Sequence, residues 1–128
     1  MKKTYQGSCH CGTVRFEADF DLAEGTVKCN CTMCRKSRNW LAAVKPADFR
    51  LVAGESELSE YLFNRRSIHH RFCKHCGLRP FSHSERFYAI NLACLDNADP
   101  AELIAAPVAY VDGLHDDFKH PPAETRHL

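Results

Sequence analysis

The chain has 128 residues, 45% hydrophobic and 26% charged, a balance that suits one globular domain and excludes disordered and collagen-like classes. Its formal net charge of +1 gives no field that would recruit nucleic acid or a membrane surface, so a small ligand or a modest protein contact is expected. Lys2 and Lys3 are not followed by an apolar run, so the start is not read as a secretion signal, and no stretch approaches the length of a membrane span.

In chain order, Val14, Phe16, Ala18 and Phe20 alternate with Arg15, Glu17 and Asp19, the period of a half-buried strand. Gly25 to Cys29 and Trp40 to Val44 predict two more strands, the latter closed by Pro46. Thr32 to Ser37 has room for one helical turn. Tyr61-Leu62-Phe63 and Ile68 to Phe72 predict strands flanking a turn at Asn64-Arg65-Arg66-Ser67, and Phe87 to Leu92 a further strand rich in aromatic and branched side chains. Asp99-Pro100-Ala101-Glu102 combines an N-cap, a first-turn proline and an early glutamate, predicting a short helix through Leu103–Ala106. From Leu114 the chain is polar and broken by proline, which predicts a loosely docked tail with His115, His120 and His127 solvated. Closely spaced turn signals and few helical ones predict a mainly β fold of sandwich or barrel type.

Eight cysteines in a chain with no secretion signal are expected to work in a reducing, cytoplasmic compartment, as thiolates rather than disulfides. Seven fall into three motifs: Cys9-x-Cys11, Cys29-x-Cys31-x-x-Cys34 and Cys73-x-x-Cys76-Gly77. The last is a zinc knuckle, whose tight turn sends both sulfurs to one side and whose glycine tolerates positive φ. In the first, residues two apart on an extended segment share a face while His10 points away. The triplet is local and can wrap one ion unaided. The remaining pairs then make a closed site of Cys9, Cys11, Cys73 and Cys76, joining the start of the chain to its middle. Two zinc ions per chain follow.

Three ligands leave one position of the second ion open, the usual mark of a catalytic or ligand-binding zinc. A fourth ligand from Cys94, a histidine or a carboxylate would close it instead. Three cysteinates give such a site a net charge of about −1, which favours capture and exchange of an external thiol over hydrolysis by zinc hydroxide. Arg35, Lys36 and Arg38 follow the triplet, where they would offset that charge or hold a carboxylate on the incoming thiol, unless they form a solvated basic face. His70 and His83 are candidate general bases.

These residues carry a family resemblance. Gly7-Ser8-Cys9-His10-Cys11-Gly12-x-Val14-x-Phe16, Cys29-Asn30-Cys31-Thr32-Met33-Cys34-Arg35-Lys36, Phe49-x-Leu51-x-x-Gly54, Tyr61-x-Phe63-Asn64, His70-Arg71-Phe72-Cys73-x-x-Cys76-Gly77 and Asn91-Leu92-x-Cys94-Leu95-Asp96 run in the order of the glutathione-dependent formaldehyde-activating enzymes and the centromere-protein-V-like proteins. The sequence resembles the short bacterial branch of that family, with a domain over 5–112 and a C-terminal tail over 113–128. The resemblance implies a β-tent-like fold, a structural zinc on Cys9, Cys11, Cys73 and Cys76, and a catalytic zinc on Cys29, Cys31 and Cys34. It also implies a carbon–sulfur lyase that combines a small thiol such as glutathione with a small aldehyde such as formaldehyde to give S-hydroxymethylglutathione.

Two rival readings stand beside it. A zinc-stapled protein-interaction module would close the triplet with a fourth ligand and display aromatics such as Trp40, Phe81 and Tyr88. An oxidoreductase resembling the methionine sulfoxide reductases would use Cys94 as a redox nucleophile, against its plain reading as a small buried residue.

Overall fold

The alternation around Phe16 becomes the middle of a small sheet in the computed structural model, which describes residues 1–128. Strand β2 (Arg15–Phe20) buries Phe16, Ala18 and Phe20 and turns Arg15 outward. It lies between β1 (Lys3–Ser8) and β5 (Phe49–Ala53), antiparallel to both. A second sheet runs, in spatial order, β10 (Val108–Val111), β3 (Thr26–Cys29), β4 (Leu41–Val44), β9 (Tyr88–Asn91), β8 (Phe81–His83), β7 (His69–Cys73) and β6 (Leu58–Tyr61). Only β10 pairs in parallel, with β3. Two short helices, α1 (Thr32–Ser37) and α2 (Pro100–Ala105), complete a mainly β chain.

Apolar side chains from both sheets make one core around Tyr5, Phe16, Leu22, Val44, Leu58, Phe81, Ile90 and Leu92. Burying each such side chain contributes about 1.5–3 kcal/mol. A run of stacked rings crosses from one sheet to the other: Phe16 lies 5.7 Å from Phe49, and Phe49 lies 4.1 Å from Tyr88 with the planes 11° apart. Buried Thr26 donates to the Pro107 carbonyl at 2.7 Å and accepts from Trp40 Nε1 at 2.8 Å, so the polar atom at this depth is satisfied.

Several elements differ from the sequence expectation. The hairpin expected from Tyr61–Phe63 pairs instead through Leu58–Tyr61, with Leu58 opposite Cys73 and Tyr61 opposite His70, because buried Leu58 anchors its start. Strand β9 stops at Asn91, whose side chain accepts from Ala93 N and turns the chain into one 3₁₀ turn over Leu92–Cys94. Cys94 therefore sits in a turn and not on a strand. The expected late helix begins at Pro100: Asp99 accepts from Ala101 N while Glu102 accepts from Asp99 N at 3.0 Å, a complete capping box. Strands β1, β8 and β10 had no periodic signal; β1 buries only Tyr5 and Gly7.

Candidate metal centres

Two of the cysteine motifs converge although 62 residues separate Cys11 from Cys73. Cys9 and Cys11 follow β1, Cys73 ends β7, and Cys76 lies in the turn beyond it. All four sulfurs lie within 4.8 Å of one another, with Cys9 to Cys11 at 3.6 Å and Cys11 to Cys73 at 3.7 Å. A tetrahedral zinc with thiolate bonds near 2.3 Å puts its sulfurs about 3.8 Å apart, so the spacing fits that ion. Backbone amides face the cluster: Val14 N donates to Cys9 Sγ at 3.3 Å and His75 N to Cys73 Sγ at 3.4 Å. Gly77 takes φ +76°, as the knuckle requires, and its N–H closes the turn on Cys73 O at 2.9 Å.

The thiols of this cluster are unequal. Burial pushes Cys9 up to about 11, whereas amides of Cys11 and Leu78 bring Cys76 down to about 6. Cys11 is lowered by the Thr13 hydroxyl and amide. The set is poised for partial ionisation, and a cation at its centre would complete it.

The triplet is assembled differently. Cys29 ends β3, Cys31 is the N-cap of α1 and accepts from Cys34 N at 3.4 Å, and Cys34 lies within that helix. The three sulfurs lie within 4.8 Å of one another, and no fourth cysteine, histidine or carboxylate ligand atom joins them. Hydrogen bonds from the Cys29 and Cys34 thiols pull Cys31 down to about 2, and the same contacts push Cys34 up. One thiol ionises at the expense of its neighbours. Three thiols that cannot all ionise alone are a donor set suited to a cation.

Two features border the triplet. On one side a turn over Gly113–His115 packs close; a Cβ at position 113 would collide with Cys29 Sγ and lie 3.2 Å from Cys31 Cβ. Asn30 holds this turn by accepting from Leu114 N at 3.0 Å and donating to Asp112 at 2.9 Å. The start of the 113–128 tail is thus part of the site's wall, while His115, His120 and His127 are exposed. Asn39, at the far end of α1, donates from Nδ2 to Cys34 Sγ at 3.6 Å and leads into a cavity of about 360 Å³. Tyr61, His70, Arg79 and Asn91 also line it.

His70 therefore stands in this cavity, where burial and the nearby Arg79 guanidinium hold its imidazole below the ordinary value. His83 lies elsewhere, stacked between His69 at 4.8 Å and Tyr88 at 4.9 Å. Glu60, His69 and His83 form a third set of neighbouring ligand atoms, accounted for by the Glu60–His69 pair and this ring stack. Arg35, Lys36 and Arg38 are exposed on α1 and its C-cap, without ion pairs. Cys94 is buried, and burial with nearby Asp96 pushes its thiol up to about 12, the wrong direction for a redox nucleophile. Phe81 is 2% exposed, and Trp40 and Tyr88 pack against the core, so these three aromatics serve packing and not display.

A family model described as "Glutathione-dependent formaldehyde-activating enzyme" matches residues 4–111. The chain belongs to the glutathione-dependent formaldehyde-activating enzyme family. Among solved structures, a Rhodobacter sphaeroides protein from a structural genomics programme is 30% identical, with a TM-score of 0.71 over 81% of this chain and 99% of that one. This member of the formaldehyde-activating family has two cysteine clusters able to hold a metal and no helix long and apolar enough to cross a membrane.

Sequence reading missed Arg79, Asn39 and Gly113 around the triplet. Arg79 had one available signal, its place in Cys76-Gly77-Leu78-Arg79-Pro80, just beyond the knuckle and pinned by the following proline. Nothing local marks Asn39 or Gly113.

Proposed function

We propose that the protein is a carbon–sulfur lyase of the cytoplasm that reversibly joins a small thiol, glutathione or one like it, to formaldehyde or a similar small aldehyde. Cys9, Cys11, Cys73 and Cys76 hold a structural zinc, and Cys29, Cys31 and Cys34 a catalytic one. The observation that carries this reading is the triplet's lack of a fourth protein ligand beside a cavity furnished with His70 and Arg79. Zinc bound there would supply the positive charge that keeps an incoming thiol ionised.

The protein's own residues do the rest. Asn39 orients Cys34, and the Gly113 turn fixes Cys29, so the three sulfurs keep one geometry. Arg79 Nη1 donates to His70 Nδ1 at 3.2 Å, which leaves the neutral ring's hydrogen on Nε2. His70 thereby presents an N–H within the cavity. As sulfur bonds to the carbonyl carbon, the carbon–oxygen π pair moves to oxygen, which accepts a hydrogen bond from the His70 Nε2–H and takes up through solvent the proton lost by the thiol. The product is a thiohemiacetal, and the reverse path releases thiol and aldehyde.

Exchange of ¹³C-formaldehyde with glutathione, followed by NMR, tests the reaction. Interconversion faster than in buffer, lost in Cys31→Ser, is the expected result. A rate equal to buffer with zinc at the triplet would overturn the reading.

A further inference from the structure

The thiol reading leaves one charged group in the cavity without a counter-ion. Arg79 is half-buried and makes no ion pair, whereas Arg50 pairs with Asp19 at 2.9 Å and Lys3 with Glu102 at 2.6 Å. Its one side-chain hydrogen bond runs to neutral His70, and no carboxylate lines the cavity. A guanidinium carries five N–H donors in a rigid fork and is seldom taken out of water without an anion. The Cys31 and Cys34 sulfurs lie near enough to act on it, yet a bound zinc would cancel most of their charge.

Its main chain is fixed as well. Pro80 is fully buried and confines Arg79 to extended backbone, while Asn91 Nδ2 donates to Arg79 O at 2.9 Å. The fork is therefore presented from a rigid support rather than from a flexible stem, which lowers the entropic cost of binding. A planar, charged fork with free donors matches a carboxylate.

We propose that Arg79 is the carboxylate-binding residue of this cavity and that it selects thiols bearing a carboxylate close to the sulfur, an inference that rests on the thiol reading above. Exposed Arg35 and Lys36 are displaced from that role by their position in solvent.

Calorimetric titration of the zinc-loaded protein with 3-mercaptopropionate and 2-mercaptoethanol tests it. The carboxylated thiol is expected to bind about tenfold or more tightly, the scale of a hydrogen bond to a charged group. Arg79→Gln should bring the ratio close to one while leaving zinc content and 2-mercaptoethanol affinity unchanged. Arg79→Lys should fall between, and Arg35→Ala with Lys36→Ala should keep the full ratio. An unchanged ratio in Arg79→Gln overturns the proposal. Equal weakening of both thiols also overturns it, assigning the guanidinium to charge balance at the cysteines. If neither thiol binds the wild-type protein, the thiol reading fails, and propionate alone then decides for Arg79. A shift of its Nε–H NMR signal on adding propionate supports the anchor, and no shift rejects it.

Discussion

The Cys9/Cys11/Cys73/Cys76 cluster gathers sulfurs across 62 residues and two sheets, whereas Cys29, Cys31 and Cys34 come from one six-residue stretch. Two of the first cluster's cysteines, Cys9 and Cys73, are almost wholly buried, and amides from the chain face them. The second has three sulfurs, no fourth ligand and a cavity beside it holding an imidazole and an unpaired guanidinium. In the function proposed above, the same ligand type serves two ends. Long-range convergence makes metal binding part of folding, and local convergence frees a site from that duty and leaves a position for something else.

The largest expected effect breaks the comparison outright if it fails. Cys73→Ser should abolish soluble folded protein, since a structural zinc contributes about 10 kcal/mol or more against a total stability of about 5–15 kcal/mol. Cys31→Ser should keep cooperative unfolding and one zinc per chain while losing thiol binding. Equal collapse of both variants, seen in soluble yield and thermal unfolding, would show that the two clusters share the structural work.

Chelation sharpens the contrast next. Zinc should leave in two phases, the triplet emptying first with circular dichroism unchanged and the second phase coinciding with unfolding. A single phase would mean that the sites are coupled. A smaller effect is expected at Gly113. Gly113→Ala drives a methyl group into Cys29 Sγ, and strain of about 1–3 kcal/mol should weaken metal and thiol at the triplet only. Retained affinity in a metal competition assay would show that the turn gives way.

Cys94→Ala should cost about 1 kcal/mol for a small void and leave thiol binding and exchange intact. Any appearance or loss of redox activity in that variant would revive the nucleophile reading. The smallest effect concerns pH. Burial and Arg79 hold His70 below the usual imidazole value of about 6.5, so the unfolded chain binds more protons in the window between the two values. That contribution to stability is complete above about pH 6.5 and drains as pH falls through the folded value. His70→Gln should flatten this slope relative to wild type in urea melts at successive pH values, while acid release of zinc remains common to both.

Much of this contrast was legible before any coordinates. The alternation of Phe16, Ala18 and Phe20, the Asp99–Glu102 capping box and the knuckle glycine at Gly77 are local signals, carried by residues that contact near neighbours. Strands β1 and β10 were not legible, because Lys3–Ser8 is polar and the four residues Val108–Val111 carry no alternation, and each becomes a strand only where β2 or β3 offers an edge. The spacing of seven cysteines pointed by itself to two clusters able to hold metal. What stands at the open side of the triplet was a tertiary matter. Asn39, His70, Arg79 and Gly113 reach it from separate segments, and a sequence records neither which loops close over a site nor which charge is left there without a partner.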